Sequence, residues 1–181
     1  MPFQLQPTLS GTLLRLRPLT EADFEPLYEA ASDPLIWEQH PAKRYLREVF
    51  TPFFAESLAS GGALLAQDAS TGGVIGTSRY NGYDEAKSEI EIGWSFLSRE
   101  YWGGGYNGEM KRLMLHHAFQ FLEHVIFVID SNNLRSQKAV QKIGGVFVEL
   151  RTREDGRESV VYEISKHDFS LLNSPTSPQS P

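Results

Sequence analysis

The sequence predicts a mixed, three-layer α+β domain: a mostly antiparallel sheet with one parallel strand pair, and helices on both faces. Three observations predict it. Three strand-like runs between residues 63 and 97 follow one another through turn-length links, which favours an antiparallel meander. A glycine turn, Gly103-Gly104-Gly105, then opens a helical pattern in which Met110, Leu113, Met114, Ala118 and Phe121 recur at three- and four-residue steps. The continuously apolar run Val125–Ile129 follows that helix. It returns as a strand beside residues 89–97 through a crossover, so those two strands should be parallel.

The elements can be justified in order. Leu13-Leu-Arg-Leu-Arg17 alternates as a first strand ended by Pro18, after an unpatterned start over residues 1–8. Thr20-Glu-Ala-Asp23 has the form of a helix cap, and Phe24, Leu27, Tyr28 and Ala31 supply the helix face behind it. Ser32-Asp-Pro34 breaks that helix, and residues 35–42 read as an irregular turn or short helix. A second helix runs to about Ser60, with Pro52 setting a kink or break inside it. The strands are Ala63–Gln67, Val74–Tyr80 and Glu89–Leu97, linked by Gly72-Gly73 and Asn81-Gly82 turns. In the last of them Ile90, Ile92, Trp94 and Phe96 should share one face. The glycine-led helix spans about 105–122. Asn132 or Asn133 caps a helix over 134–143, and Val146–Leu150 with Ser159–Ile164 closes the domain as a hairpin. Residues 1–172 read as one domain, and 173–181 as a disordered Ser/Pro tail.

Composition narrows the function. The chain has 181 residues, 40% of them hydrophobic and 22% charged, with net charge −6 and no cysteine. Disulfides, thiolate metal sites and a thiol nucleophile are therefore excluded. The acidic balance and absence of a long basic run argue against a nucleic-acid partner, although a local basic patch stays open. No apolar run approaches the roughly 18–20 residues of a membrane span, and no signal segment stands at the N-terminus, so a cytoplasmic location without membrane attachment is expected. No His and carboxylate cluster has metal-ligand spacing; His116 and His117 are neighbours on a helix and face different ways.

The glycine turn carries the chemistry. A helix start led by glycines leaves backbone N–H groups pointing outward along the helix dipole, which makes an anion site suited to phosphate. Gly103-x-Gly105-x-x-Gly108 also spells a dinucleotide fingerprint, with Asp130 ending the next strand. Against that, Ser98–Trp102 intervene between strand and glycines, the strand carries Glu89 and Glu91, and too little chain follows for a doubly wound sheet. A Walker loop is excluded because no Gly-Lys-Ser/Thr follows.

Three motifs, Glu91-Ile-Gly-Trp94, Tyr101-Trp-Gly-Gly-Gly-Tyr-Asn-Gly-Glu109 and Asn133-Leu-Arg-Ser-Gln-Lys-Ala-Val-Gln-Lys-Ile-Gly144, together resemble the GNAT superfamily of acyl-CoA-dependent N-acetyltransferases. The match is nearest the ribosomal-protein-acetyltransferase-like (RimJ/RimL-like) branch and covers about residues 10–165. The resemblance implies acetyl-CoA in a cleft where the two parallel strands splay. Phe96 and Leu97 would meet the pantetheine arm through backbone. Trp102, Gly103, Gly104, Gly105, Tyr106 and Asn107 would form the pyrophosphate turn, and Asn133 would reach the pantetheine or thioester end. Ser136 is the implied donor to the leaving thiolate, with a capping or first-turn serine as the alternative. Two departures stand out. Glu100 occupies the place where relatives often carry Arg or Gln, and Gly144-Gly145 replaces a Gly-Phe pair. Relatives are often dimers, so a homodimer is one expectation.

Direct transfer of an acetyl group to an amine needs a base and no protein nucleophile. Glu91 is the candidate base, with a strand carboxylate paired to an arginine as the alternative. An α-amine with a pKa near 8 is already partly neutral at pH 7, whereas a lysine near 10.4 is not, so a weak base suits an N-terminal or similarly acidic amine. Trp37, His40 and Tyr80 are the candidates for the acceptor side, a core tryptophan being the alternative for Trp37. Glu109 reads as structural. A silent acyl-CoA-binding module and a dinucleotide-dependent oxidoreductase are the other readings. The sequence does not name the acceptor, whether a protein N-terminus or a small-molecule amine.

Overall fold

The computed structural model describes residues 3–173. Its strands are β1 (Leu9–Ser10), β2 (Leu14–Pro18), β3 (Ala63–Asp68), β4 (Val74–Asp84), β5 (Glu89–Leu97), β6 (His124–Asp130), β7 (Val146–Thr152) and β8 (Glu158–Ser165). Its helices are α1 (Phe24–Ala31), α2 (Arg47–Ala59), α3 (Tyr106–Ala118), α4 (Leu134–Lys142) and α5 (Lys166–Asn173), with short 3₁₀ turns at Glu21–Asp23, Pro34–Trp37 and Arg99–Tyr101. The strands form one sheet in the order β1-β2-β3-β4-β5-β6-β8-β7. Among the described residues only β5 and β6 pair in parallel.

The layers follow from alternation along the central strands. On β3, Leu64 and Ala66 face one cluster while Ala63 and Leu65 face the other. The first cluster packs α3 through Met110, Met114, Leu115 and Ala118, with Val140 of α4 and Phe169 of α5. The second packs α1 and α2 through Leu27, Phe50, Phe53 and Phe54. A sheet apolar on both faces with helices on each side is the three-layer α+β arrangement that the sequence predicts.

The structure corrects four details. The expected single face on β5 is interrupted. Thr77 pairs with Phe96 but Arg79 with Gly93, so three steps on β5 oppose two on β4. That is a β-bulge, and Trp94 within it has φ +50°. Ile90 and Ile92 face the α3 cluster, whereas Trp94 and Phe96 face α1 and α2. Asn81-Gly82 is not the hairpin turn: both residues lie inside β4, where the register shifts, and the chain reverses at residues 85–88. α2 runs unbroken through Pro52, held by the buried Phe50, Phe53 and Phe54. Finally, β1 and α5 are additional elements; α5 is anchored by Phe169, which is 4% exposed. The Ser/Pro tail read at 174–181 lies outside the described residues.

Candidate active site

The site begins where two strands part. β5 and β6 share only three register pairs, Glu89 with His124, Ile90 with Val125 and Glu91 with Ile126. Beyond them each strand is held from its outer side: β5 by β4 as far as Leu97 with Gly76, and β6 by β8 as far as Asp130 with Ser159. The gap between them opens into a cleft of about 460 Å³. Its walls are Glu91–Ser95 of β5 and Phe127–Asp130 of β6, with Asn107 and Lys111 from α3 and Asn133 and Ser136 from α4.

The glycine turn stands at the start of α3. Gly103 and Gly105 have φ of +75° and +87°, so both sit where a side chain is strained. Among the described residues, no protein group accepts a hydrogen bond from the N–H of Gly103, Gly104 or Gly105. A Cβ on Gly103 would meet nothing within 4 Å, so the turn's surface is open. Near the turn, Arg99 Nε bonds Asp33 Oδ2 at 2.5 Å, an ion pair that offsets its charge. The Tyr106 ring lies beside Gly104, and its hydroxyl donates to Asp68 Oδ2 at 2.9 Å.

Backbone alternation separates Phe96 from Leu97. The Ser98 N–H donates to Ile75 O, so Phe96 and Ser98 face β4 while the polar groups of Leu97 face the other edge. The Phe96 carbonyl abuts Gly76, where a Cβ would lie 2.0 Å from it. Phe96 therefore offers no backbone group to the cleft. The Leu97 carbonyl accepts from Trp102 Nε1 at 2.9 Å, and the Trp102 indole lies under the Arg135 guanidinium at 4.3 Å. Trp102 thus braces the turn against α4 and sits outside the cleft lining.

The other candidates divide in the same way. Ser136 lies in the first turn of α4, half-buried on the cleft wall. Its N–H donates to the capping Asn133 Oδ1 at 3.1 Å, so Asn133 caps the helix and lines the cleft at once. Glu91 is half-buried on the opposite wall; burial pushes its carboxyl up, partly offset by Arg151, Arg79 and Arg153. Among the described residues no ion pair holds it. His40 lines the cleft, and burial lowers its pKa to about 4. Trp37 and Tyr80 do not face the cleft. Trp37 is 5% exposed and gives its Nε1 to Ala31 O, while Tyr80 is 1% exposed and gives its hydroxyl to Met114 O at 2.6 Å. Both are core residues with satisfied polar tips. A wider groove of about 880 Å³ runs between α1 and the turn at 98–102, lined by Glu29, Asp33 and Glu100, away from Glu91 and Ser136.

The model of the acetyltransferase (GNAT) domain family matches residues 14–146. This chain belongs to the GNAT acetyltransferase family. Solved structures agree with the fold. A GCN5-related N-acetyltransferase from Brucella melitensis superposes with TM-score 0.84 at 18% identity, covering 94% of this chain and 84% of that one. A candidate ribosomal-protein-serine acetyltransferase from Vibrio cholerae gives 0.75 at 16% identity, covering 87% and 97%. A spermidine N-acetyltransferase SpeG chimera from Vibrio cholerae and hSSAT gives 0.68 at 15%, covering 90% and 100%. The dinucleotide alternative falls with the sheet, which is mostly antiparallel and not doubly wound.

Sequence reasoning missed the basic residues of this GNAT cleft, Arg44, Lys111, Arg153 and Arg157. Lys111 is 6% exposed, and its amine donates to Ser78 Oγ at 3.3 Å and to Ser95 Oγ. Desolvation lowers it to about 7. Arg44 lies with its guanidinium 4.2 Å from the Phe53 ring centroid. The helical period could have flagged Lys111, because it stands four residues after Asn107 and four before Leu115. Nothing in the local sequence marks Arg44.

Proposed function

We propose that this GNAT domain transfers an acetyl group from acetyl-CoA to a primary amine by direct attack. The observation that carries the reading is the splay of β5 from β6, with unpartnered turn amides beside it and Glu91 and Ser136 on its walls. Acetyl-CoA supplies an activated acyl carbon. The Gly103–Gly105 amides, at the positive end of α3, would hold its diphosphate. Leu97 faces the cleft edge where an extended arm would lie. The bulge at Trp94–Ser95 takes backbone groups out of the β4 ladder, and an N–H freed there is suited to steady the carbonyl oxygen. Glu91 takes the proton from the incoming ammonium, directly or through water. Ser136 donates its proton to the departing thiolate and takes back the second proton that the acetylated nitrogen sheds. A protein N-terminus or a small amine suits the modest basicity of Glu91 better than a lysine side chain does.

Thiol release from acetyl-CoA with a panel of amines tests the proposal. Release should require an amine. Glu91→Gln should lower kcat/KM about 100-fold. In the wild type the rate should fall as pH drops through the raised Glu91 pKa, because the base must be unprotonated, and the variant should lose that limb. Gly104→Asp isolates the turn. Gly104 has ordinary φ, and a Cβ there lies 3.6 Å from the Tyr106 ring, so the change adds charge without backbone strain. It should weaken acetyl-CoA binding at least about 10-fold in calorimetry with the melting temperature unchanged. Tight binding with no thiol release from any amine would mean a non-catalytic acyl-CoA-binding domain instead.

A further inference from the structure

The cleft is basic in a chain of net charge −6. Arg44, Lys111, Arg153 and Arg157 line it against Glu91 and Asp130. Arg157 is paired with Asp155 at 2.5 Å. Arg153 gives its Nε to Ser159 Oγ at 2.6 Å, a bond that uses one of its five N–H groups. Arg44 packs against Phe53 and Trp37, and among the described residues no carboxylate pairs with it. Behind the cleft wall, Arg79 stacks on Trp94 at 3.6 Å, 7% exposed, with its Nε buried and unpartnered.

These guanidinium groups act on the same region. Arg44 and Arg153 both press on His40, and Arg79 presses on Arg44. Glu56 reaches Arg44 and Arg79 with its field but forms an ion pair with neither. Burying the Arg44 guanidinium with the field of Glu56 but no ion-pair partner among the described residues is costly, and an anion that arrives with the substrate explains the arrangement most simply.

We propose that the acceptor is an anionic amine, whose carboxylate or phosphate is bound by Arg44 and Arg153 while its amine faces Glu91. This rests on the amine-acetylation reading above and adds the substrate class to it. Arg44 supplies a planar fork that matches an oxyanion group two bonds at a time, and the aromatic rings behind it hold the fork in place. A polyamine would meet like charge here, and a neutral amine would leave Arg44 without a partner.

The test uses amines of similar size and different charge: glutamate, phosphoethanolamine, an uncharged amino-alcohol and spermidine. Each is measured for thiol release and, separately, for binding by thermal shift without acetyl-CoA. Glutamate or phosphoethanolamine should show kcat/KM at least about 10-fold above the uncharged amine, and the better of the two identifies the oxyanion. Arg44→Gln should raise KM for that amine about 10- to 100-fold, with KM for acetyl-CoA unmoved and partial rescue by Arg44→Lys. Arg153→Gln, at an exposed position, gives a second variant if Arg44→Gln folds poorly, and should raise the same KM. Preference for spermidine or the uncharged amine, or equal losses on every amine in both variants, would overturn the inference while leaving acetyl transfer intact. Failure of thiol release with every amine would sink the acetyl-transfer reading alone. The thermal shift would still decide the anion site: an upshift with an anionic amine, lost in Arg44→Gln, supports it, and no upshift overturns it.

Discussion

Lys111 and His40 are two buried groups whose protonation the fold resists. Among the described residues the Lys111 amine bonds hydroxyls and lies 5.7 Å from the Phe127 ring centroid, and desolvation brings it to about 7 from near 10.5. Between those values the unfolded chain holds a proton that the folded chain does not. The contribution of Lys111 to stability is therefore most adverse below pH 7 and improves as pH rises toward 10. Lys111→Met should stabilise the protein by about 2 kcal/mol in urea melts at pH 6–7, with the gain shrinking toward pH 10. Ser95 keeps partners in Ser78 and Gly93, so the variant strands no hydroxyl. His40 behaves in the acid range. Its Nδ1 accepts from the Ala42 N–H, and burial followed by the charge of Arg44 lowers its pKa to about 4. Stability should be lost as pH falls from about 6.5 to 4, by up to about 3 kcal/mol, because the unfolded chain takes the proton first. In His40→Asn the loss over that window should be visibly smaller; an identical slope would mean that His40 is not the group responsible. His40 was visible from the sequence as a polar residue in an irregular segment. Lys111 is easily passed over, because a lysine in a helical pattern reads as solvent-facing, although its four-residue spacing from Asn107 and Leu115 puts it on their face.

At the scale of elements, β2 and α3 are joined by one carboxylate. Glu109 accepts from the N–H of Thr12 at 2.9 Å, of Leu13 at 2.7 Å and of Leu14 at 2.9 Å. Gly11 permits this approach, since a Cβ there would fall 2.5 Å from the Glu109 carboxyl carbon. Glu109→Ala strands three donors and should cost about 2–4 kcal/mol in a denaturant melt. Gly11→Ala should also destabilise, by forcing the carboxylate away. The structural reading of Glu109 from sequence agrees with this clamp, although its partners lie about 95 residues away and no local pattern could name them. The elements that the sequence revealed are those with strong periods: α1, α3, α4 and the central strands. Those it missed have weak local signals. The bulge in β5 is hidden because Ile90, Ile92, Trp94 and Phe96 alternate straight through it, and only pairing with β4 exposes the extra residue. Asn81-Gly82 carries turn chemistry but serves a register shift within a strand. α5 is short and buries Phe169 while leaving Leu171 and Leu172 exposed, so its apolar residues give no clear period.

For the whole molecule, the sheet is two blocks, β1–β5 and β6–β8, joined along the middle by three register pairs and by the helices packed across them. A closed sheet would leave no cleft, and two separate sheets would not fix its width. The short parallel seam does both: it pins the strands at Glu89–Glu91 and lets them diverge toward Leu97 and Asp130. This shape also predicts where ligand binding registers. Amide exchange at Gly103–Gly105 should be fast in the free protein, because no protein group accepts from those N–H groups. Acetyl-CoA should slow exchange there and along the diverging halves, near Leu97 and Phe127–Asp130. Ile90 and Val125, inside the seam and already fully buried, should show no change. Protection confined to the groove beside α1, with the glycine amides still exchanging fast, would place the cofactor on the wrong side of the turn and remove the basis for every role assigned to Glu91 and Ser136.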